Sequence, residues 1–175
     1  MEQSVVKAPG SDQLKRSESS RRILIPVGAG TDSRQALIWY GDNIKHHGDL
    51  IIFVHIIDPV FPTHLSALSI EHESMLFVSS FCIPDGELRT AKSICQQLVR
   101  EASKLGVNSE ALIQIDTKPG PALVKLISEK KIDIVVMPNR GLGFWRCNFI
   151  GSVSSYILHH SNIPVSIVPS SYNHS

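Results

Sequence analysis

The chain is short of cysteine, of uncompensated charge and of long apolar runs, and each shortage removes a class of function. Cys82, Cys95 and Cys147 are odd in number and none stands in a C-x-x-C pair. That argues against both a disulfide framework and a zinc knuckle and leaves reduced, structural thiols. Seventeen Lys and Arg stand against sixteen Asp and Glu, and no block of like charges occurs, so neither nucleic acid nor a membrane surface is recommended as a partner. The apolar stretches are strand-length, well under the roughly 20 residues that span a bilayer. The first residues also lack the apolar core of a signal peptide, so the expectation is a soluble cytoplasmic protein.

The familiar catalytic and metal signatures are missing as well. There is no Gly-Lys-Ser/Thr, hence no Walker A loop, and no Gly-x-Ser-x-Gly elbow. A dinucleotide fingerprint begun at Gly141 and Gly143 would need a third glycine where Arg146 stands. His46-His47 and His159-His160 are adjacent pairs that point in different directions on a helix, while His64 and His72 lack the spacing of a zinc helix. No metal site is expected and no catalytic residue is assigned.

What is present is alternation. Met1 to Ser20 is rich in Ser, Gln and charge and reads as a disordered arm, in which "KRSESSRR" is either a solvated tail or a modification and targeting patch. From Arg22 onward, apolar runs alternate with amphipathic segments. "RILIPV" is a first buried strand, and "RQALIWYGDNIK" a helix with Ala36, Leu37 and Tyr40 on one face and Asp32 with Gln35 as a capping box. "DLIIFVHII" is a second strand. A helix from about Asp85 to Leu105 carries Leu88, Ala91, Cys95, Leu98, Ala102 and Leu105 at spacings of three and four, with Gly106 as its stop. "ALIQI", "IDIVVM" and "PVSIV" are the third, fourth and fifth strands, separated by a helix with Pro121 in its first turn and another around Ser152 to His160. Alternating strands and helices imply an α/β domain, 21–170, with a parallel sheet covered on both faces and a short tail, 171–175. In such sheets ligands bind beyond the carboxyl ends of the strands, where the winding reverses. Asp133 begins the fourth strand at the wrong end for that site; Asp58 ends the second strand on the right side, where a solvated carboxylate is the plain reading. Residues 59–84 are hard to place, and "SMLFVSSFCI" within them is apolar enough for a lid or an interaction surface.

One segment is unusual. "RGLGFWRCNFIGSVSSYIL" leaves a strand through glycines and enters a helix through Gly151-Ser152. Glycine permits close approach of a ligand to the backbone, and the free N–H groups of Ser152, Val153 and Ser154 lie at the positive end of the helix dipole. The dipole contributes about 0.3 to 2 kcal/mol for an anion, so the hydroxyls of Ser152 and Ser154 and the charge of Arg140 or Arg146 must add the rest. Trp145 and Phe149 pack beneath the loop, cover a base or join a dimer contact.

"ILIPVGAGTDSRQAL", "IIFVHIIDP" and "DIVVMPNRGLGFWRCNFIGSVSSYILHHSNIPVSIVP" together resemble the universal stress protein family, whose signature is Gly-x-x-Gly, nine residues, then Gly-Ser/Thr. The resemblance implies a five-stranded parallel sheet in the order 3-2-1-4-5, Rossmann-like, with homodimers joined through the last strand. It also implies, in one branch, an ATP or AMP site, with or without magnesium. Carried over, it places Pro26, Val27 and Gly28 at the adenosine side, Ile56 with its backbone toward the adenine, and Met137, Asn139, Arg140 and Gly141 along the ribose and phosphates. Gly151, Ser152, Val153 and Ser154 would hold the phosphates. Two positions depart from the pattern: Gly28 stands where nucleotide-binding members usually have an aspartate, and Pro138 replaces the first glycine of the signature. The competing expectations are an interaction module of the same fold without nucleotide and a slow ATP-hydrolysing enzyme.

Overall fold

Strands buried on both faces send alternate side chains into two separate layers, and this chain builds two cores in that way. The computed structural model describes residues 20–28, 32–59, 85–139, 151–169 and 172, together with the backbone of 4–7. Its strands are β1 (Ser4–Lys7), β2 (Arg22–Val27), β3 (Leu50–Ile57), β4 (Asn108–Ile115), β5 (Ile134–Pro138) and β6 (Val165–Val168). Its helices are α1 (Asp32–Asn43), α2 (Asp85–Lys104), α3 (Pro119–Lys130) and α4 (Ser152–His160). Ile23, Ile25 and Val27 of β2 join Ile51, Phe53 and Ile57 of β3 in a core closed by Ala36, Leu37 and Tyr40 of α1 and Ala91, Cys95 and Leu98 of α2. Leu24, Ile52, Val54, Val135 and Met137 face the opposite way, onto Leu123, Leu126 and Ile127 of α3 and Ile157 of α4.

The five strands β2 to β6 are parallel and stand in the order β4-β3-β2-β5-β6. Counted along the parallel strands, that is the expected 3-2-1-4-5. The winding moves outward from β2 through α1 and α2, then α3 carries the chain back across the sheet to β5, so the direction reverses between β2 and β5. The four helices begin and end close to the expected places. Gly106, at φ +67°, ends the α2 segment in the left-handed region that glycine adopts without strain.

Two expectations are corrected. The arm Met1 to Ser20 is not wholly without structure, because Ser4–Lys7 forms β1 and pairs antiparallel with β4, from Ser4↔Ile113 to Lys7↔Glu110. The Val5-Val6 pair suits a strand, and the outer edge of β4 offers unpaired backbone groups to it. The capping box is not formed either. Asp32 is the first helical residue rather than the cap, and Gln35 Oε1 has no partner among the described residues. Residues 60–84, including "SMLFVSSFCI" and His64 and His72, lie outside the described residues.

The end of the sheet where β2 and β3 begin is fixed by a buried ionic cluster. Arg21 donates to both oxygens of Asp49 at 3.0 and 2.8 Å and to the Ile44 carbonyl at 2.7 Å. Tyr40 Oη and the His46 N–H also donate to Asp49 Oδ2, at 2.6 and 2.9 Å. Burial pushes the Asp49 carboxyl up, but the hydrogen bonds from Arg21, Tyr40 and His46 outweigh it and hold it below the usual carboxylate range. At the same end the Asp133 carboxylate accepts the Arg22 N–H at 2.7 Å, so Asp133 is a structural tie remote from the ligand end, as expected. Cys95 is a free thiol in the core, pushed up to about 11 by burial, and is therefore inert. Beyond β6, Tyr172 returns to α1, donating to Asp42 Oδ2 at 3.0 Å and accepting from Asn43 Nδ2 at 3.2 Å.

Candidate functional site

The ladder between β2 and β5 is short. Its registered pairs are Ile23↔Ile134 and Leu24↔Val135. Past them each strand keeps its outer neighbour, β2 pairing with β3 as far as Val27↔His55 and β5 with β6 as far as Pro138↔Val168. The carboxyl ends of β2 and β5 therefore stand side by side without pairing, at the reversal point where open α/β sheets receive ligands.

The direction of each main-chain group follows from the bonds around this opening. Val135 N–H donates to the Pro164 carbonyl at 3.0 Å and Asn139 N–H to the Val168 carbonyl at 2.7 Å. Odd-numbered residues of β5 thus face β6, and Val136 and Pro138 face β2. Pro138 has no N–H to give. It costs the sheet no ladder bond, and it removes one donor from the opening. On β3 the Ile57 carbonyl accepts the Asp116 N–H at 3.1 Å, on the β4 side. Ile56 accordingly faces β2, one residue past the last registered pair, and its carbonyl is a main-chain acceptor beyond the end of that strand.

A serine closes the turn after β2. The Ser33 hydroxyl accepts the Gly28 N–H at 3.2 Å and lies 3.4 Å from the Pro26 carbonyl, its own acceptor, and Ser33 itself is buried. Sequence reasoning missed this residue. Its signal was a hydroxyl in the first turn of a helix that follows a glycine-rich turn. Val27 and Met137 are core residues, 6% and 3% exposed, and their main-chain groups point toward β3 and β6, so neither offers a hydrogen-bonding group to the opening.

Helix α4 begins at the same end of the sheet. Gly151 is its N-cap with no side-chain cap bond, and no acidic residue stands in the first turn. The first hydrogen bond runs from Ser155 N–H to the Gly151 carbonyl at 2.8 Å, which leaves the N–H groups of Ser152, Val153 and Ser154 without intrahelical acceptors. Gly151 has φ −57° and ψ 154°, a conformation open to any residue. Among the described residues a Cβ built there meets nothing within 4 Å. Backbone strain is therefore not what calls for the glycine. Ser152 is exposed while Ser154 is buried, 7% exposed.

The structure brings Pro26, Val27, Gly28, Ile56, Met137, Asn139, Gly151, Ser152, Val153 and Ser154 to one end of the sheet. Arg140 and Gly141, with Gly143, Trp145, Arg146 and Phe149, lie outside the described residues. His159 and His160 are exposed at the far end of α4, with Nδ1 2.7 and 2.8 Å from the carbonyls of Ser155 and Tyr156. Among the described residues no group of three His, Cys, Asp or Glu converges to hold a metal ion.

The profile of the universal stress protein family matches residues 19–169, the whole of the parallel sheet and its four helices. The chain belongs to the universal stress protein family. A universal stress protein of Mycolicibacterium smegmatis is 24% identical over 161 residues, which cover 89% of this chain and 50% of that protein. The chain thus spans half the length of that relative. Among solved structures, a universal stress protein of Archaeoglobus fulgidus in complex with dAMP is 17% identical with a TM-score of 0.60, covering 84% of this chain and 96% of that one. A family member from Arabidopsis thaliana with AMP bound is 17% identical with a TM-score of 0.57, covering 85% of this chain and 91% of that one. These likenesses show the shared fold. No described helix is long and apolar enough to cross a membrane.

Proposed function

We propose that this universal stress protein binds an adenine nucleotide, AMP or ATP, in the opening between β2, β5 and the start of α4, and acts as a cytoplasmic regulatory protein rather than a fast enzyme. The observation that carries the reading is the start of α4, where N–H groups without intrahelical acceptors adjoin a glycine at which an added Cβ meets none of the described residues within 4 Å. Gly151, Ser152, Val153 and Ser154 would hold the phosphates, with Asn139, Arg140 and Gly141 beside them. The Ile56 carbonyl would accept the adenine amino group, and Pro26, Val27 and Gly28 would flank the adenosine. Solved family members carrying AMP and dAMP support this choice of ligand. Magnesium, when present, would be held by the phosphates and would neutralise their charge.

Rapid hydrolysis is not proposed. Asp58 is exposed and Asp133 is tied to Arg22 at the opposite end, so neither is placed as a base for the attacking water. Dimerisation through β6 is part of the proposal. Among the described residues that strand pairs with β5 alone, which leaves its outer edge for a second copy. Calorimetry with AMP and ATP, with and without magnesium, tests the reading. Micromolar binding is expected, and binding only in the millimolar range would discard it.

A further inference from the structure

The sheet has two outer edges, and the chain treats them differently. At one, β6 has no neighbour beyond it among the described residues. At the other, residues Ser4–Lys7 lie on β4 and cover Glu110 to Ile113, half of a strand that runs from Asn108 to Ile115. An uncovered edge of this length is a template for pairing with another chain. We propose that β1 is a detachable cover that keeps the β4 edge of one copy from pairing with the β4 edge of a second copy.

The direction of pairing supports this occupant. β1 lies antiparallel on β4, so the edge accepts an antiparallel strand, and two copies of β4 related by a two-fold axis meet in that orientation. Detachment is local. Arg21, where the arm joins β2, is held by Asp49 and the Ile44 carbonyl, so β1 leaves without drawing β2 out of the sheet. If the β6 edge also pairs, an open β4 edge converts a closed dimer into a chain of alternating contacts. The cover then sets the limit of assembly. The inference itself does not depend on β6 or on nucleotide.

The register supplies a selective test. Asp116 N–H bonds Ile57 on the β3 side, so even-numbered residues of β4 face β3, and Ala111 and Ile113 face β1. Val6 is paired with Ala111 and its N–H points at β4, whereas the N–H of Val5 points away. In the full-length chain, Val6→Pro removes a ladder donor and Val5→Pro does not. NMR-detected amide exchange at Ala111 and Ile113 should accelerate at least tenfold in Val6→Pro at low concentration. It should slow again at high concentration as sedimentation shows species larger than wild type. Val5→Pro should match wild type in both. Continued protection of Leu112 and Gln114, which face β3, reports that the sheet is folded. Val6→Pro with Ala111 and Ile113 still protected, or with those amides open and no larger species at any concentration, overturns the proposal.

Discussion

Replacing Gly151 by valine separates the binding role of the α4 mouth from its role in folding. The backbone there is extended, with φ −57° and ψ 154°, so a β-branched residue fits without strain. The new Cβ meets no described atom within 4 Å, so it displaces none of the described core. Valine is a poorer N-cap than glycine but reduces the freedom of the unfolded chain, and these opposing effects leave a stability change within about 1 kcal/mol. Binding should respond very differently. A hydrogen bond to a charged group contributes about 1.5–3 kcal/mol. Two isopropyl methyls over the N–H groups of Ser152 and Val153 should remove at least two such bonds, a loss of about 3 kcal/mol or more. Against the roughly 8 kcal/mol of a micromolar complex, that is about a hundredfold weaker binding. Calorimetry with AMP, paired with a thermal melt, reads both quantities, and Gly151→Ala should fall between. An unchanged melt with affinity within threefold of wild type would refute the assignment of phosphate to this helix.

Three further outcomes test other parts of the structure. Gly28→Asp puts a carboxylate at the adenosine side of the opening, and it should raise affinity for AMP several-fold while leaving dAMP nearly unchanged, a ratio that calorimetry measures directly. Asp49→Asn leaves Arg21 without its buried counter-charge and should cost about 3 kcal/mol in chemical denaturation, at the low end for a broken buried pair because the Arg21 side chain is 32% exposed. Because the folded Asp49 carboxyl is held low, its contribution is present above the unfolded carboxylate range and fades as pH falls through the folded value. Wild type should therefore lose stability in acid below about pH 4, and the variant should lose less there. Gly120→Ala places a methyl 2.9 Å from the Tyr156 ring, so Tyr156 or the helix that carries it must shift, at a cost of about 1–3 kcal/mol in the same denaturation experiment.

The parallel sheet was legible because its strands are buried on both faces and read as unbroken apolar runs, and because α2 repeats its apolar positions cleanly from Leu88 to Leu105. β1 was not legible. Four residues with two valines carry little signal in a polar arm, and what orders them is the edge of β4, more than a hundred residues away in the chain. The same distinction runs through the candidate site. Gly151-Ser152 is a local pattern, and the helix start it signals is where the structure places it. Ser33 reaches back to Gly28 and Pro26, a local contact whose signal, a hydroxyl in the first turn of the next helix, is weak on its own because many such hydroxyls face solvent. Pro138 looked like damage to a glycine signature. The hydrogen bonds of Val135 and Asn139 show instead that its missing N–H would have faced the opening and not β6. The sheet therefore loses no ladder bond to the proline, and its consequence is one donor fewer in the opening between β2 and β5.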